Sequence, residues 1–323
     1  MLNAYLFNRR EGKHVEAWPE ELRRLGKSEV LWLDLEDASP DEVRSVCAVL
    51  ELSDAEFVAA PDEAPSLDQR ETHLQLTAVG VGGTGQGRTP EPVPIKCFIG
   101  KNWIVTAHTE KLEVLDDFRE RTTGGGGVGI LDAASFLALL LGWVVKGYLQ
   151  AFDRIEVELE EFDVQVLRSP HGDAEKHIGF LVEIRQRVGG LRRSLAFHRD
   201  LFAELTTAEF DPLSSEESAA KFADLAAMTD AALAAARDAK NSVTGSFDVL
   251  IARTEHRTNE IVKILTIASI LLLPGALIAG VMGMNVNLKL SVFAHSAVFL
   301  VAIVAIVLIA TVTLGVARLR DWV

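Results

Sequence analysis

Two charge-free runs near the C-terminus constrain this chain more than any other feature. Ile264–Leu288 carries 25 residues without a charged side chain, and Leu290–Ala317 carries 28 more. Each exceeds the ~20 apolar residues that a helix needs to cross a bilayer. Yet 24% of the 323 residues are charged, so polarity is segregated. The sequence predicts a large water-suited part followed by a membrane hairpin. That excludes a purely soluble enzyme and a secreted disulfide scaffold. A net charge of −14 argues against nucleic acid, whose phosphates would repel the chain unless basic residues clustered. Cys47 and Cys97 lie far apart in apolar contexts and read as buried thiols of a reducing compartment. The opening MLNAYLFNRREGK lacks the apolar core of a signal peptide. Arg253, Arg257 and Lys263 precede the first run, Arg318 and Arg320 follow the second, and Lys289 alone lies between. By the positive-inside rule both termini face the cytoplasm, in a multi-pass protein of the cell (inner) membrane.

Within the polar part, Ala4–Phe7, Val30–Leu35, Thr72–Val81 and Cys97–Thr106 read as strands. Pro40–Leu50, after a cap-like Ser39, reads as a helix. This alternation predicts a mixed α/β domain. Gly82–Pro94 reads as a hairpin loop. The run Gly124–Gly127 lacks the Gly-Lys-Ser/Thr of a phosphate loop and reads as a linker. Leu131–Leu167 and His171–Leu205 read as helices, the second broken at Gly189-Gly190. After a turn at Phe210–Pro212, Ser214-Ser215 offers a cap, and no proline follows until Pro274. A single helix of 60–70 residues is therefore expected to run into the membrane. The domains expected are a cytoplasmic α/β domain (1–130), a helical hairpin (131–213), a stalk helix (214–262) and a first transmembrane helix (263–285). An outer loop (286–293), a second transmembrane helix (294–317) and a basic tail (318–323) complete the chain.

A 3,4 spacing anchored on Asn259 traces one seam along the long helix. Toward the membrane it reads Val262, Thr266, Ser269, Leu273, Ala276, Gly280 and Gly283. Away from it, the seam reads Glu255, Ala252, Asp248, Gly245, Asn241, Asp238, Ala234, Ala231, Ala227, Asp224, Ala220 and Glu217. Five of the seven acidic residues between 217 and 263 fall on it, and none of the six Lys and Arg does. A leucine zipper would place large apolar residues there. Two readings stay open: symmetry-related copies facing these residues around a water-filled cation path, or a solvated face with small residues for helix contact. Polar groups facing lipid are costly, which favours the first for Thr266 and Ser269.

The segment Thr258-Asn259-Glu260, Lys263, Leu265-Thr266, Leu273-Pro274, Ile278-Ala279-Gly280 and Gly283-Met284-Asn285 closely resembles the first transmembrane helix of the CorA family of magnesium transporters. The Gly-Met-Asn triplet is that family's signature. A second span and a basic, Trp-containing end (Arg318–Val323) follow it here. Leu31–Leu35, Phe98–His108 and Leu191-Arg192-Arg193 resemble the family's cytoplasmic domain. The resemblance implies a homopentamer embedded in lipid, with an α/β/α funnel, a stalk helix continuing into the pore-lining span, and a second span outside it. It implies gradient-driven transport of a divalent cation, Mg2+ foremost, and no enzyme chemistry or organic cofactor. Gly283, Met284 and Asn285 would form the pore mouth. Asn259, Val262, Leu265, Thr266, Ser269, Leu273, Ala276 and Gly280 would line the pore, and Asp238, Asp248 and Glu255 would concentrate cations below. In the family, divalent ions bound between neighbouring cytoplasmic domains regulate transport. Asp224 matches the stalk acid of that site; Phe57 takes the position of its partner acid, with Glu56 beside it as the candidate ligand.

Several residues depart from the family pattern. Ala227 replaces an acid, Met282 replaces the aromatic residue before the triplet, and Ala276 takes a position often hydroxylated. Val286-Asn287-Leu288-Lys289 replaces Met-Pro-Glu, so an outer acidic ring gives way to a lysine. Zn2+ or Co2+ as the ion, as in the zinc-transporting ZntB-like branch, and a non-conducting membrane-anchored sensor or scaffold are the competing readings. His171, His177 and His198 lack metal-ligand spacing, and Glu160/Glu161 share one charged helix face without a nucleophile–base pair.

Overall fold

The strand-type runs of the first 120 residues build one seven-stranded sheet. The computed structural model describes residues 1–8, 11–26, 29–52, 56–60, 63–83, 90–123, 132–168, 174–206, 216–283 and 295–319. Strands β1 (Leu2–Phe7), β2 (Gly12–His14), β3 (Val30–Glu36), β4 (Ser66–Gln69), β5 (Leu74–Gly82), β6 (Glu91–Ile99) and β7 (Trp103–His108) lie in the order β2-β1-β3-β7-β6-β5-β4. Only β3 and β7 pair in parallel among these. Helices α1 (Trp18–Arg24), α2 (Pro40–Leu50) and α3 (Glu113–Thr123) are set among the strands. Helices α4 (Ala133–Arg168), α5 (Ala174–Leu205), α6 (Glu216–Gly283) and α7 (His295–Leu319) follow. The chain divides into two units, Met1–Phe247 and Asp248–Val323, and α6 contributes to both.

Pleat alternation sets the layers of the first unit. Val30–Leu35 is buried throughout, as befits a strand covered on both faces. Leu31, Leu33 and Leu35 join Trp18 of α1 and Val46 and Leu50 of α2 in one core. Trp32 points the other way, with its ring centroid 5.4 Å from Phe118 of α3 and 5.6 Å from Phe136 of α4. Ser39 caps α2 as expected. Its hydroxyl accepts from the Glu42 N–H, and the Glu42 carboxylate accepts from the Ser39 N–H at 2.8 Å. That hydrogen bonding holds the Glu42 carboxyl below its ordinary pKa. The helix ends where Glu51 turns left-handed, at φ 58°.

Three sequence expectations are corrected. Cys97–Thr106 is not one strand but the β6–β7 hairpin, closed by the Gly100 N–H donating to the Trp103 carbonyl at 3.0 Å. A Cβ at Gly100 would lie 2.2 Å from the Trp103 ring, so only glycine lets that ring fold back over the turn. Gly82–Pro94 is not all loop, because β6 begins at Glu91 and carries Pro92 and Pro94. Proline is tolerated there because β7 pairs only with Lys96–Ile99, so no partner strand needs those missing N–H groups. Finally, α5 runs unbroken through Gly189-Gly190. The buried face Leu181, Ile184, Val188, Leu191 and Leu195 outweighs a helix cost of about 1 kcal/mol per glycine.

Of the helices long and apolar enough to cross a membrane, α4 is a core helix: 67% of its most apolar window is buried. The corresponding stretch of α6, within Ser218–Val281, is 0% buried. Helix α6 spans 68 residues and continues through Pro274, and Leu300–Val316 of α7 is a further apolar helix. Gly124–Gly127, His171, the Phe210–Pro212 turn, Ser214-Ser215, Met284, Asn285, the outer loop 286–293 with Lys289, and Arg320–Val323 lie outside the described residues.

Candidate functional site

Helix α6 carries two stripes, and in the first unit they lie nearly opposite. One is buried: Phe222, Leu225, Thr229, Ala232, Ala236, Ala239, Val243 and Ser246, again at 3,4 spacing. The seam read from the sequence runs two residues out of step with it. At 100° per residue that is about 160° around the helix. Its described members Ala220, Asp224, Ala227, Ala231, Ala234, Asp238, Asn241 and Gly245 are all exposed. Small side chains such as Ala232, Ala236 and Ala239 make up much of the buried face. The acidic side is left uncovered.

In the second unit the offset repeats. Leu271, Pro274, Gly275 and Ile278 are half-buried, and a Cβ at Gly275 would stand 3.7 Å from Ile306 Cγ2 of α7. The seam is again about 160° away. Asp248, Glu255, Asn259, Val262, Leu273, Ala276 and Gly280 are exposed on it, and Thr266 and Ser269 are half-buried. Leu265, 64% exposed, flanks the stripe. The Thr266 hydroxyl donates to the Val262 carbonyl at 2.7 Å, and the Ser269 hydroxyl to the Leu265 carbonyl at 2.8 Å. With each proton committed one turn back, both oxygens remain acceptors. Pro274 has no N–H, so the Ile270 carbonyl also lacks its helical donor. Gly283 ends α6, and the rest of the Gly-Met-Asn triplet lies outside the described residues.

One chain does not bring the expected regulatory pair together. Glu56 adjoins Phe57, which packs in the core with α1 and α2. Asp224 lies on α6 beside α4, across the sheet, where it shares a cavity with Lys146 and Lys221. The expected site lies between neighbouring copies, so its two acids need not meet within one chain. Among the described residues no group of three or more His, Cys, Asp or Glu could hold a metal ion.

Two buried polar networks escaped the sequence reading. Beyond Thr77, β5 outruns β4, and helices cap its free edge. The Val79 N–H donates to His198 Nε2 at 3.0 Å, and the Tyr148 hydroxyl donates to the Val79 carbonyl at 2.8 Å. Burial lowers the His198 pKa to about 4, which keeps the ring neutral, and raises that of Tyr148. On the central strands, Trp32 Nε1 donates to Thr106 Oγ1 at 2.9 Å, and Thr106 Oγ1 donates to Asp34 Oδ1 at 2.6 Å. His108 Nε2 lies 3.3 Å from the same carboxylate oxygen. Burial pulls the His108 pKa down, but the Asp34 carboxylate outweighs it and holds the ring above its ordinary value. An aspartate inside an otherwise apolar strand was the one available signal.

A continuous helix carrying an uncovered small, polar and acidic stripe, joined to an α/β sheet domain, can now be set beside known proteins. Residues 27–315 match the family model described as CorA-like Mg2+ transporter protein. The chain belongs to that family. It is 26% identical over 201 residues to the cobalt/magnesium transport protein CorA of Thermotoga maritima, an alignment covering 60% of this chain and 55% of that protein. The chain thus spans little more than half the length of that relative. It is 22% identical over 271 residues to the protein of the same name from Methanocaldococcus jannaschii, covering 79% and 80% of the two chains. The complete structure of the Methanocaldococcus CorA magnesium transporter superposes with a TM-score of 0.77 at 16% identity, over 100% of this chain and 99% of that one. At such identity the likeness establishes the fold: a soluble α/β domain with long helices. The family is one of membrane-embedded metal-ion transporters rather than enzymes.

Proposed function

We propose that this chain forms a homopentameric pore that passes divalent cations, Mg2+ foremost, down their electrochemical gradient. The observation that carries this reading is the α6 stripe. One chain leaves most of a line of small, polar and acidic residues exposed along α6, with Thr266 and Ser269 half-buried on it. Five copies around an axis would enclose that line in water, with α7 outside. Mg2+ gives up its waters reluctantly, so a path for the hydrated ion needs neutral oxygen acceptors rather than a tight cage. Asn285 would supply them at the mouth, with Gly283 and Met284 setting its approach. Asn259 would form a polar ring at the cytoplasmic end, with Thr266 and Ser269 between the two rings. Ala276 and Gly280 would keep the wall close. Val262, Leu265 and Leu273 would gate by dewetting. Asp238, Asp248 and Glu255 would raise the local cation concentration. Both termini would face the cytoplasm, and a regulatory ion would be shared by Asp224 and Glu56 of adjacent copies. A divalent ion gains about 4.6 kcal/mol per 100 mV, enough to drive uptake without a nucleotide.

Uptake of Mg2+, Zn2+ and Co2+ into proteoliposomes, wild type against Asn285→Ala, tests the reading. Mg2+ uptake lost in the variant supports it. Preference for Zn2+ or Co2+ keeps the pore and replaces the ion. No flux above empty vesicles for any of the three would leave a membrane-anchored sensor or scaffold.

A further inference from the structure

We propose that His108 is a proton-operated latch on the connection between β7 and α3, closed while its imidazole carries two protons and released when one leaves. His108 is the last residue of β7, and α3 begins at Glu113. Its ring turns both nitrogens toward acceptors. Nδ1 donates to the Glu110 carbonyl at 2.6 Å, and Nε2 stands 3.3 Å from Asp34 Oδ1. The imidazole and the carboxylate are each 2% exposed, so little water reaches the ring. A carbonyl and a carboxylate only accept, and only the imidazolium form has two N–H donors. A neutral ring has one. If its proton faces Asp34, a ring lone pair meets the Glu110 carbonyl and the connection is let go. If its proton faces Glu110, the lone pair meets a buried carboxylate, which is costly where water is scarce.

The surroundings decide which partner yields. Asp34 is fixed within the sheet, because Thr106 Oγ1 donates to the same Oδ1 at 2.6 Å and itself accepts from Trp32 Nε1. The Glu110 carbonyl belongs to a short connection, residues 109–112, and is the freer of the two. Leu112, 1% exposed, anchors the far end, so the part released is 109–111. Charges from each neighbouring element bear on the ring. Glu36, also on β3, adds to the negative charge of Asp34. Arg119 of α3 acts on Asp34 as well, but is itself paired with Asp116, which also holds Lys111 of the connection at 3.0 Å. Burial keeps the Tyr5 hydroxyl of β1 and the Cys97 thiol of β6 protonated. The balance favours imidazolium, so release falls above the ordinary histidine value of about 6.5.

The test is hydrogen–deuterium exchange by mass spectrometry on the full chain in lipid nanodiscs, at pH 6.0, 7.5 and 9.0. Each rate is corrected for the intrinsic pH dependence of amide exchange, and peptides covering 109–116 are compared with peptides of α2. Protection in 109–116 should fall at least about tenfold from pH 6.0 to pH 9.0, the equilibrium worth of one charge-assisted hydrogen bond, while α2 stays unchanged. His108→Asn keeps a donor toward Glu110 but cannot titrate, and should lose the response. Asp34→Asn removes the charge that holds the second proton, and should move the response at least about one pH unit lower. Wild-type protection constant within twofold, a fall shared equally by α2, a full response in His108→Asn or an unshifted one in Asp34→Asn would each overturn the proposal. The first two outcomes need no variant, so they decide even where a substitution prevents folding.

Discussion

Replacing Asn259 with leucine should abolish most conduction while leaving each chain folded. Asn259 is exposed on α6, on the side away from the residues that approach α7. A substitution at such a position changes stability by no more than about 0.5 kcal/mol. In a five-fold ring, however, the change removes five carboxamide oxygens at one level of the path. A net hydrogen bond to the ion's water shell is worth at least about 0.5 kcal/mol. Five losses raise the barrier by about 2.5–3 kcal/mol, or roughly a hundredfold in rate at 1.4 kcal/mol per decade. The assay is Mg2+-dependent dye fluorescence in proteoliposomes under a fixed K+ diffusion potential. Asn259→Gln keeps the carbonyl and should keep most of the flux. Conduction by Asn259→Leu within twofold of wild type, with reconstitution matched, would refute the reasoning.

Two further outcomes test the first unit. Tyr148→Phe removes the donor to the Val79 carbonyl and leaves a buried acceptor unpaired, so thermal unfolding of the full chain should show a loss of about 1–3 kcal/mol. An unchanged midpoint would mean that the edge of β5 finds another donor. His198 has its pKa lowered to about 4, against about 6.5 unfolded. The unfolded chain therefore binds the extra proton between those values, and this stability is present above about pH 6.5 and lost toward pH 4, roughly 3 kcal/mol in all. His108, with its raised pKa, acts in the opposite sense: its stabilisation is full well below the unfolded value of about 6.5 and is lost as pH rises. His198→Gln, which can still accept from Val79, should flatten stability across that window, and an unaltered slope would count against a neutral buried ring.

The seam was legible because helix periodicity is local: a 3,4 spacing and the placement of five acids follow from the order of residues alone. Ser39 and Glu42 were legible for the same reason, three positions apart. The β6–β7 turn was not, because Cys97–Thr106 is apolar on both sides of Gly100, and strand and hairpin share that signature. The partners of Asp34 and of His198 lie 72 and 119 residues away, and no local pattern specifies such pairings. The cavity beside Asp224 was equally hidden, since Lys146 and Lys221 meet only after α6 packs on α4. Glycines mislead where burial decides: Gly189-Gly190 reads as a break, yet the apolar face of α5 carries the helix through.

Water contact along the stripe can be measured directly by cysteine labelling. In a Cys47→Ala background, with Cys97 fully buried, Ser269→Cys is treated with a membrane-impermeant methanethiosulfonate and compared with Ile278→Cys on the side toward α7. The account predicts that Ser269→Cys is modified and its Mg2+ flux blocked, while Ile278→Cys is spared. Modification of Ile278→Cys with Ser269→Cys protected would contradict it.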